Sequence, residues 1–326
     1  MVSNFLKKFI KISFSIFFIY FIIVFSTYTI SAIFLVKGKV LNQKILINYQ
    51  RNFYHQIGFR KIWQSQKDCV EFDKDLIFVP KIGKCIFNNP EFLTELNFTE
   101  QGRKTGNKLI NKKENIAVIG DSMAMGWGVN DNETFASILE KDSKFKVYNL
   151  AVSGYATERS LVRLKKSNLL NKIDTIIIQY CANDYGENLS HTRKKELDSK
   201  QKKFDKIFID DQSIFKSFRK IIRYSLVIPF ELINIKKDQL SWKGHDILFE
   251  EILKKYDFLD DKKIIVISTY YPGINFKDFP NDNSLQFPNL RYLDIKYEDE
   301  DFFPLDMHLN KDGHQKIANT LSNYLK

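Results

Sequence analysis

Between Lys11 and Lys37 the chain runs for 25 residues, Ile12 to Val36, without a charged side chain. That is longer than the ~20 apolar residues that carry a helix across a hydrocarbon core of about 30 Å. It also exceeds the roughly 7–15-residue apolar region of a signal peptide, and no A-x-A cleavage pattern comes after it. The run predicts a retained anchor, with residues 1–11 as a cytoplasmic tail and 12–36 as a transmembrane helix. Lys7, Lys8 and Lys11 precede the span and Lys37, Lys39, Lys44 and Arg51 come after it, so the positive-inside count is nearly balanced. The short tail and the long domain beyond it, whose translocation is fairly indifferent to charge, favour a single-pass cell-membrane protein with its main domain on the periplasmic or extracellular side.

Beyond the span, about 290 residues remain, enough for one large core with a smaller attachment. Residues 37–112 read as a juxtamembrane segment packing on the main domain. They hold the turn-rich Val79-Pro80-Lys81-Ile82-Gly83, the pair Asn89-Pro90, and short apolar runs expected as strands packed beside the larger domain. From residue 113 the pattern alternates. Asn115–Gly120, Phe145–Ala151, Ile173–Tyr180, Lys263–Thr269 and Leu290–Ile295 are short strand-like runs. Glu133–Lys141, Thr157–Leu170, Asp246–Phe258 and Lys311–Leu325 carry helical patterns. Ile173–Tyr180 is the clearest strand, a continuous β-branched run of the kind buried on both faces of a parallel sheet. The alternation predicts an α/β fold, a three-layer α/β/α sandwich on a mostly parallel five-stranded sheet of the flavodoxin-like type, spanning 113–326. Residues 186–243 interrupt it as an insertion. Arg193 to Lys206 reads as a solvated helix, and Tyr224–Ile235, too short to span a membrane, as a packed insertion, a lid or a membrane-resting surface.

The formal charge is +11, from 50 Lys and Arg against 39 Asp and Glu. The excess is spread along the chain rather than gathered into a stripe, and no nucleic-acid motif accompanies it, which argues against a nucleic-acid partner. Three cysteines, Cys69, Cys85 and Cys181, are too few for a disulfide scaffold and lack CxxC zinc spacing. Cys69 and Cys85 can pair in an oxidising compartment or remain two thiols. Cys181 reads as a small buried hydrophobe. Neither G-x-G-x-x-G nor G-x-x-x-x-G-K-[ST] comes after the first strand, so a nucleotide-binding reading lacks its motif.

The chemistry-bearing residues lie just past the strands. Gly120-Asp121-Ser122 ends the first, and a Ser on a sharp strand-to-helix turn can present its hydroxyl at the sheet edge. The plainer alternative is that Ser122 caps the helix. Near the C-terminus stands Asp306-Met307-His308. In an extended segment residues i and i+2 project to one side, so Asp306 can orient His308, fix its tautomer and leave the other ring nitrogen to take a serine proton. His314, inside the next helix start, reads as a capping or surface residue. Gly154 after the second strand and Asn183 after the third are candidate donors, with the Ser122 N–H, for an oxyanion. Each alone is also an ordinary turn residue.

The order Ser, Gly, Asn, Asp-x-His, over about residues 113–326 and including GDSMAMGWGVNDNETF and DMHLNKDGHQKIA, resembles the SGNH (GDSL-type) esterase and acyltransferase family. The resemblance implies Ser122 as nucleophile, His308 as base and Asp306 as its orienting acid. It further implies Ser122, Gly154 and Asn183 as the oxyanion hole, and no metal or diffusible cofactor. Cys181-Ala182-Asn183-Asp184 stands where the family usually has G-x-N-D. D-x-H replaces the usual D-x-x-H, a spacing similar to polysaccharide O-acetyltransferase relatives. Asn97–Arg103 (NFTEQGR) also looks like the segment that precedes the GDS block in membrane-anchored relatives. The expected function is a membrane-anchored serine esterase or O-acyltransferase acting through an acyl-serine on ester groups, O-acetyl groups of cell-surface glycans above all. The expected partners are such a substrate and the membrane, with the oligomeric state open. The contrasting expectation is an inactive surface protein that uses the same fold to bind a glycan or partner.

Overall fold

In the computed structural model the chain folds, in order, into helices α1 (Val2–Val36) and α2 (Lys44–Gln56), then strands β1 (Val70–Asp73), β2 (Ile77–Pro80), β3 (Gly83–Asn89), β4 (Phe92–Thr99), β5 (Gly102–Arg103) and β6 (Glu114–Ile119). Next come helices α3 (Ser122–Met125) and α4 (Phe135–Lys141), strand β7 (Phe145–Asn149), α5 (Thr157–Lys166), β8 (Thr175–Tyr180) and α6 (Asp184–Thr192). The last are β9 (Asp238–Leu240), α7 (Asp246–Leu253), β10 (Lys263–Ser268), β11 (Ile274–Phe276), β12 (Leu290–Leu293) and α8 (Lys311–Leu325). The structure describes residues 2–41, 43–56, 60–106, 114–141, 144–192, 202, 204–207, 238–271, 274–280, 287 and 289–325. Most of the 186–243 insertion, including Tyr224–Ile235 and most of the mixed-charge run from Arg193, lies outside the described residues.

The strand-like runs form the centre of one sheet in the order β12-β10-β8-β6-β7, every neighbouring pair parallel. Side chains alternate between its two faces, and both faces are covered. Ile116, Val118, Ile177, Ile265 and Ile267 pack in one core with Phe135 and Leu139 of α4 and Ile317 and Leu321 of α8. Ala117, Ile119, Ile176, Ile178, Ile264 and Val266 pack in the other with Leu161 and Leu164 of α5 and Phe249, Ile252 and Leu253 of α7. Burying each such aliphatic side chain contributes about 1.5–3 kcal/mol, so the three layers hold one another.

The sheet has eight strands, which corrects the expectation of five. β5, β4 and β3 continue it antiparallel beyond β7, joined where Arg103 pairs with Asn149. The apolar runs of the juxtamembrane segment therefore divide: β3, β4 and β5 extend the sheet, while β1 and β2 pair in a separate two-stranded sheet whose Val70, Ile77 and Phe78 pack against the main core. Without β5 the outer backbone groups of β7 would form an open edge, which native sheets cover. The Asn89-Pro90 pair closes the β3–β4 hairpin, and a Cys69–Cys85 disulfide ties the segment before β1 to β3. Cys181 is buried and unpaired.

Helix α1 is long and apolar enough over Asn4–Val36 to cross a membrane. Its C-terminal half folds back through α2. Val24, Tyr28 and Leu35 pack with Tyr49, Phe53 and Tyr54 of α2, and with Leu305 from the far end of the chain. The buried amide of Gln50 donates to the carbonyls of Ser31 and Lys39 and accepts from Leu41 N–H, so one side chain closes the hairpin. Through Leu305 the hairpin also anchors the backbone immediately before Asp306.

Candidate active site

Ser122 is placed by the turn that ends β6. Gly120 has φ +146°, and a Cβ there would lie 2.5 Å from Gln179 Oε1 on the adjacent β8, so only glycine fits. Gln179 Oε1 in turn accepts from Asp121 N–H at 2.8 Å. Asp121 is the helix cap, its carboxylate accepting from Met123 N–H at 2.8 Å. The capping alternative for Ser122 therefore belongs to its neighbour. Ser122 is the first residue of α3, and its hydroxyl is left for another partner.

That partner is His308. Ser122 Oγ lies 2.7 Å from His308 Nε2, and His308 Nδ1 lies 2.5 Å from Asp306 Oδ1. The carboxylate requires the proton on Nδ1, which makes Nε2 the acceptor of the serine hydroxyl. Asp306 and His308 meet across a turn, which corrects the expected extended segment. Met307 has φ +66°, and Phe303 brackets the turn: its carbonyl accepts from Met307 N–H and its N–H donates to the His308 carbonyl, each at 2.8 Å. Trp127, in the loop after α3, stacks on the imidazole at 4.6 Å and 12°, and Tyr271 meets it edge-on. Burial lowers the proton affinity of His308; the Asp306 carboxylate opposes this and Arg60 adds to it. Burial acts to raise the Asp306 carboxyl, but His308 and Arg60 together hold it well below the usual carboxylate range.

The remaining partners of Asp306 come from the N-terminal third. Tyr54 of α2 donates its hydroxyl to Oδ2 at 2.5 Å. Arg60 donates Nη2–H to Oδ1 at 3.1 Å and Nε–H to Oδ2 at 3.2 Å. Glu91, in the β3–β4 turn, accepts from the backbone N–H groups of Leu305 and Asp306 at 2.8 and 2.7 Å. Burial pushes the Glu91 carboxyl up to about 7, against the pull of those two hydrogen bonds. Sequence reasoning missed Tyr54, Arg60 and Glu91, since no spacing rule connects them to a residue more than 200 positions away. Arg103 was within reach through the NFTEQGR likeness. Fully buried, it donates to the carbonyls of Met125, Gly126 and Val129 and pairs with Asp131, so it fixes the loop that carries Trp127.

The two other expected donors flank Ser122. β6 lies between β7 and β8, where the chain reverses its direction across the sheet, and open α/β sheets bind ligands at such a crevice. Gly154 lies past β7 with φ +78°, and its carbonyl accepts from Arg159. Gln64 sits beside it and accepts from Ser153 Oγ at 3.0 Å. Asn183 lies past β8, and its amide nitrogen faces two carboxylates, Asp121 Oδ2 at 3.2 Å and Glu187 Oε1 at 3.3 Å. Burial, with Glu187 adding, pushes Asp121 up to about 7. Thus Ser122, His308 and Asp306 form one hydrogen-bonded chain, Asn183 reaches the residue before Ser122, and Gly154 stands on the other flank. His314 is fully buried rather than on the surface: its Nδ1 accepts from Phe135 N–H and its ring stacks on Phe135. Among the described residues no group of three His, Cys, Asp or Glu side chains is arranged to hold a metal ion.

Fold and site define an α/β protein with a Ser–His–Asp chain at the carboxyl edge of a parallel sheet, an arrangement able to activate a serine hydroxyl as a nucleophile. No protein-family model and no curated protein matches the chain. Similar solved structures are GDSL-type and carbohydrate esterases. A two-domain esterase active on acetylated mannans matches at 13% identity and TM-score 0.35, over 65% of this chain and 48% of that one. This chain thus spans about half the length of that esterase. A putative lipolytic protein of the G-D-S-L family from Desulfitobacterium hafniense DCB-2 matches at 12% identity and TM-score 0.34, over 65% and 99% of the two chains. A lipase/acylhydrolase from Enterococcus faecalis matches at 15% identity and TM-score 0.33, over 65% and 95%.

Proposed function

We propose that the protein is a serine esterase or O-acyltransferase that works through an acyl-serine. The observation that carries this reading is the continuous chain from Ser122 Oγ through His308 to Asp306, with links of 2.7 and 2.5 Å. Ser122 Oγ attacks an ester carbonyl while His308 Nε2 takes its proton, and the carboxylate of Asp306 stabilises the imidazolium that forms. The carbonyl oxygen becomes an oxyanion, held by the N–H groups of Ser122 and Gly154 and by the Asn183 amide once one of its hydrogens turns from a carboxylate. His308 then returns the proton to the departing alkoxide. Water or a second hydroxyl, deprotonated by His308, takes the acyl group from Ser122. The membrane reading rests on the length of α1, with the domain outside, and a disulfide between Cys69 and Cys85 agrees with an oxidising compartment. The D-x-H spacing favours O-acetyl groups of cell-surface glycans as the substrate.

A fluorophosphonate probe tests the nucleophile. The intact chain in detergent is expected to label, and Ser122→Ala is expected not to. Equal labelling of the two would remove the reading. Incubation with an acetylated polysaccharide then separates release of acetate from transfer to a second glycan. A non-catalytic binding protein needs no contact between Ser122 and His308, and their 2.7 Å separation favours catalysis over it.

A further inference from the structure

We propose that Tyr54 on helix α2 and Arg60 just after it are positioning residues that fix Asp306 in one orientation and set how firmly it holds a protonated His308. The proposal rests on the acyl-serine reading of the site. A carboxylate offers about four lone-pair sites. In Asp306 all are taken: Oδ1 accepts from His308 Nδ1 and Arg60 Nη2, and Oδ2 accepts from Arg60 Nε and Tyr54 Oη. The carboxylate cannot turn without breaking several bonds at once, and its own N–H is pinned by Glu91.

Arg60 also acts on the base itself. Its Nη2 stands 3.3 Å from His308 Nδ1, and since both atoms donate to the same oxygen, their approach is repulsive. Its guanidinium lies 4.9 Å from the centroid of Trp127, the ring that stacks on His308. When His308 takes the Ser122 proton, the imidazolium forms beside a fixed cation. Arg60 therefore keeps Asp306 ionised and aimed, and offsets part of its attraction for the charged imidazole. The contrast with Arg103 marks this as more than scaffolding. Arg103 gives most of its hydrogen bonds to backbone carbonyls and ties a loop. Arg60 directs its side-chain hydrogen bonds at the one carboxylate that touches the base.

The experiment is the pH profile of kcat/KM for a soluble aryl acetate, measured on the full chain in detergent. The acid limb reports His308, which must be neutral to act as a base. Removing the cation in Arg60→Gln raises the proton affinity of His308. The limb is expected to move up by about one pH unit, with about tenfold lower kcat/KM below it. Arg60→Lys, which keeps a cation, is expected to return the limb toward the wild-type position. Tyr54→Phe removes one donor and no charge, and moves the limb the same way by less. A purely structural Arg60 would lower the plateau and leave the limb in place. An unmoved limb in Arg60→Gln and Tyr54→Phe, with probe labelling of Ser122 intact, overturns the proposal alone. Where Arg60→Gln fails to fold, the Tyr54→Phe limb decides. Loss of Ser122-dependent labelling in the wild type would overturn the catalytic reading first, and this proposal with it.

Discussion

The parallel half of the sheet and the N-terminal third of the chain contribute to the site in different ways. The parallel strands supply position: β6 leads to Ser122, β7 to Gly154 and β8 to Asn183, all at one edge. The N-terminal third supplies environment. Tyr54, Arg60 and Glu91 surround the Asp306 turn, and Leu305 is packed against the α1–α2 hairpin. Reacting atoms have to sit on a rigid edge, and a short motif suffices to put them there. Their proton affinities depend on whatever packs behind them, and that can come from any part of the chain.

The largest effect that tests this division is on Asp306. Asp306→Asn leaves a side chain of the same shape but no carboxylate to fix the Nδ1–H tautomer. Turnover of an aryl acetate should fall by about 10⁴-fold, while near-ultraviolet circular dichroism stays native. A loss under tenfold would mean that the turn only holds the loop in place.

Next in size is Asn183. Its amide nitrogen now faces Asp121 and Glu187. If one hydrogen turns to the oxyanion in the reaction, Asn183→Ala lowers kcat by about 10²–10³ with little change in KM. If the amide only steadies Asp121, kcat changes less than tenfold and the oxyanion is left to two backbone N–H groups. Stopped-flow acylation rates distinguish the two outcomes.

A third effect belongs to the N-terminal third alone. The Cys69–Cys85 bond closes a loop with a sequence separation of 16. Replacing both cysteines by serine should lower stability by about 3 kcal/mol. Urea unfolding would register it, and the Ser122–His308 chemistry should persist in the fraction that stays folded. If activity is lost well before global unfolding, the N-terminal third melts as a separate unit and takes the Asp306 environment with it.

Legibility in the sequence divides along the same line. A strand buried on both faces must be apolar at nearly every position, so TIIIQY and KIIVIS announce themselves. Ser122, His308 and Asp306 were readable because each lies just past a strand or sits in a short polar pattern. β5 was not, since it is two residues long, too short to carry an alternation, and is defined by its pairing with β4 and β7. The Cys69–Cys85 bond stayed open because spacing does not fix the distance between two Cβ atoms. His314 misled for another reason. Helical periodicity does place it on the buried face with Ile317, but a titratable residue reads as polar until the backbone N–H of Phe135 is seen to satisfy its ring nitrogen. Tyr54 and Arg60 carried no local signal, because their role is defined by a partner about 250 residues away.

The smallest effects are in stability against pH, and there His314 and Glu91, one group from each region, pull in opposite directions. Burial pushes His314, on α8 and packed against Phe135 of α4, down to about 3, with Arg103 adding. Its unfolded value is about 6.5, so the unfolded chain takes up the proton first as pH falls. His314 therefore costs stability on acidification from about 6.5 to about 3, at most ~1.4 kcal/mol per pH unit. Glu91 has the reverse sign. Its carboxyl is raised to about 7 in the fold against roughly 4.3 unfolded, so its contribution is full below about 4.3 and is lost as pH rises through 7. His314→Asn keeps an acceptor for Phe135 N–H, and it should flatten a plot of unfolding free energy against pH below about 4.3, where the Glu91 contribution is already full. Glu91→Gln should remove its share of the fall in stability between about 4.3 and 7 while losing one of the two backbone bonds. Asp121, also raised to about 7, adds a loss of the same sign below that pH to the wild type and to Glu91→Gln, so the difference between them isolates Glu91. Urea titrations at about pH 3.5, 4.5 and 7.5 measure both as differences from the wild type, His314 over the lower interval and Glu91 over the upper one. If Glu91→Gln leaves the slope between about 4.3 and 7 unchanged, Glu91 ionises in the fold as it does in the unfolded chain, and the turn that carries Asp306 rests on a carboxylate fully charged at neutral pH.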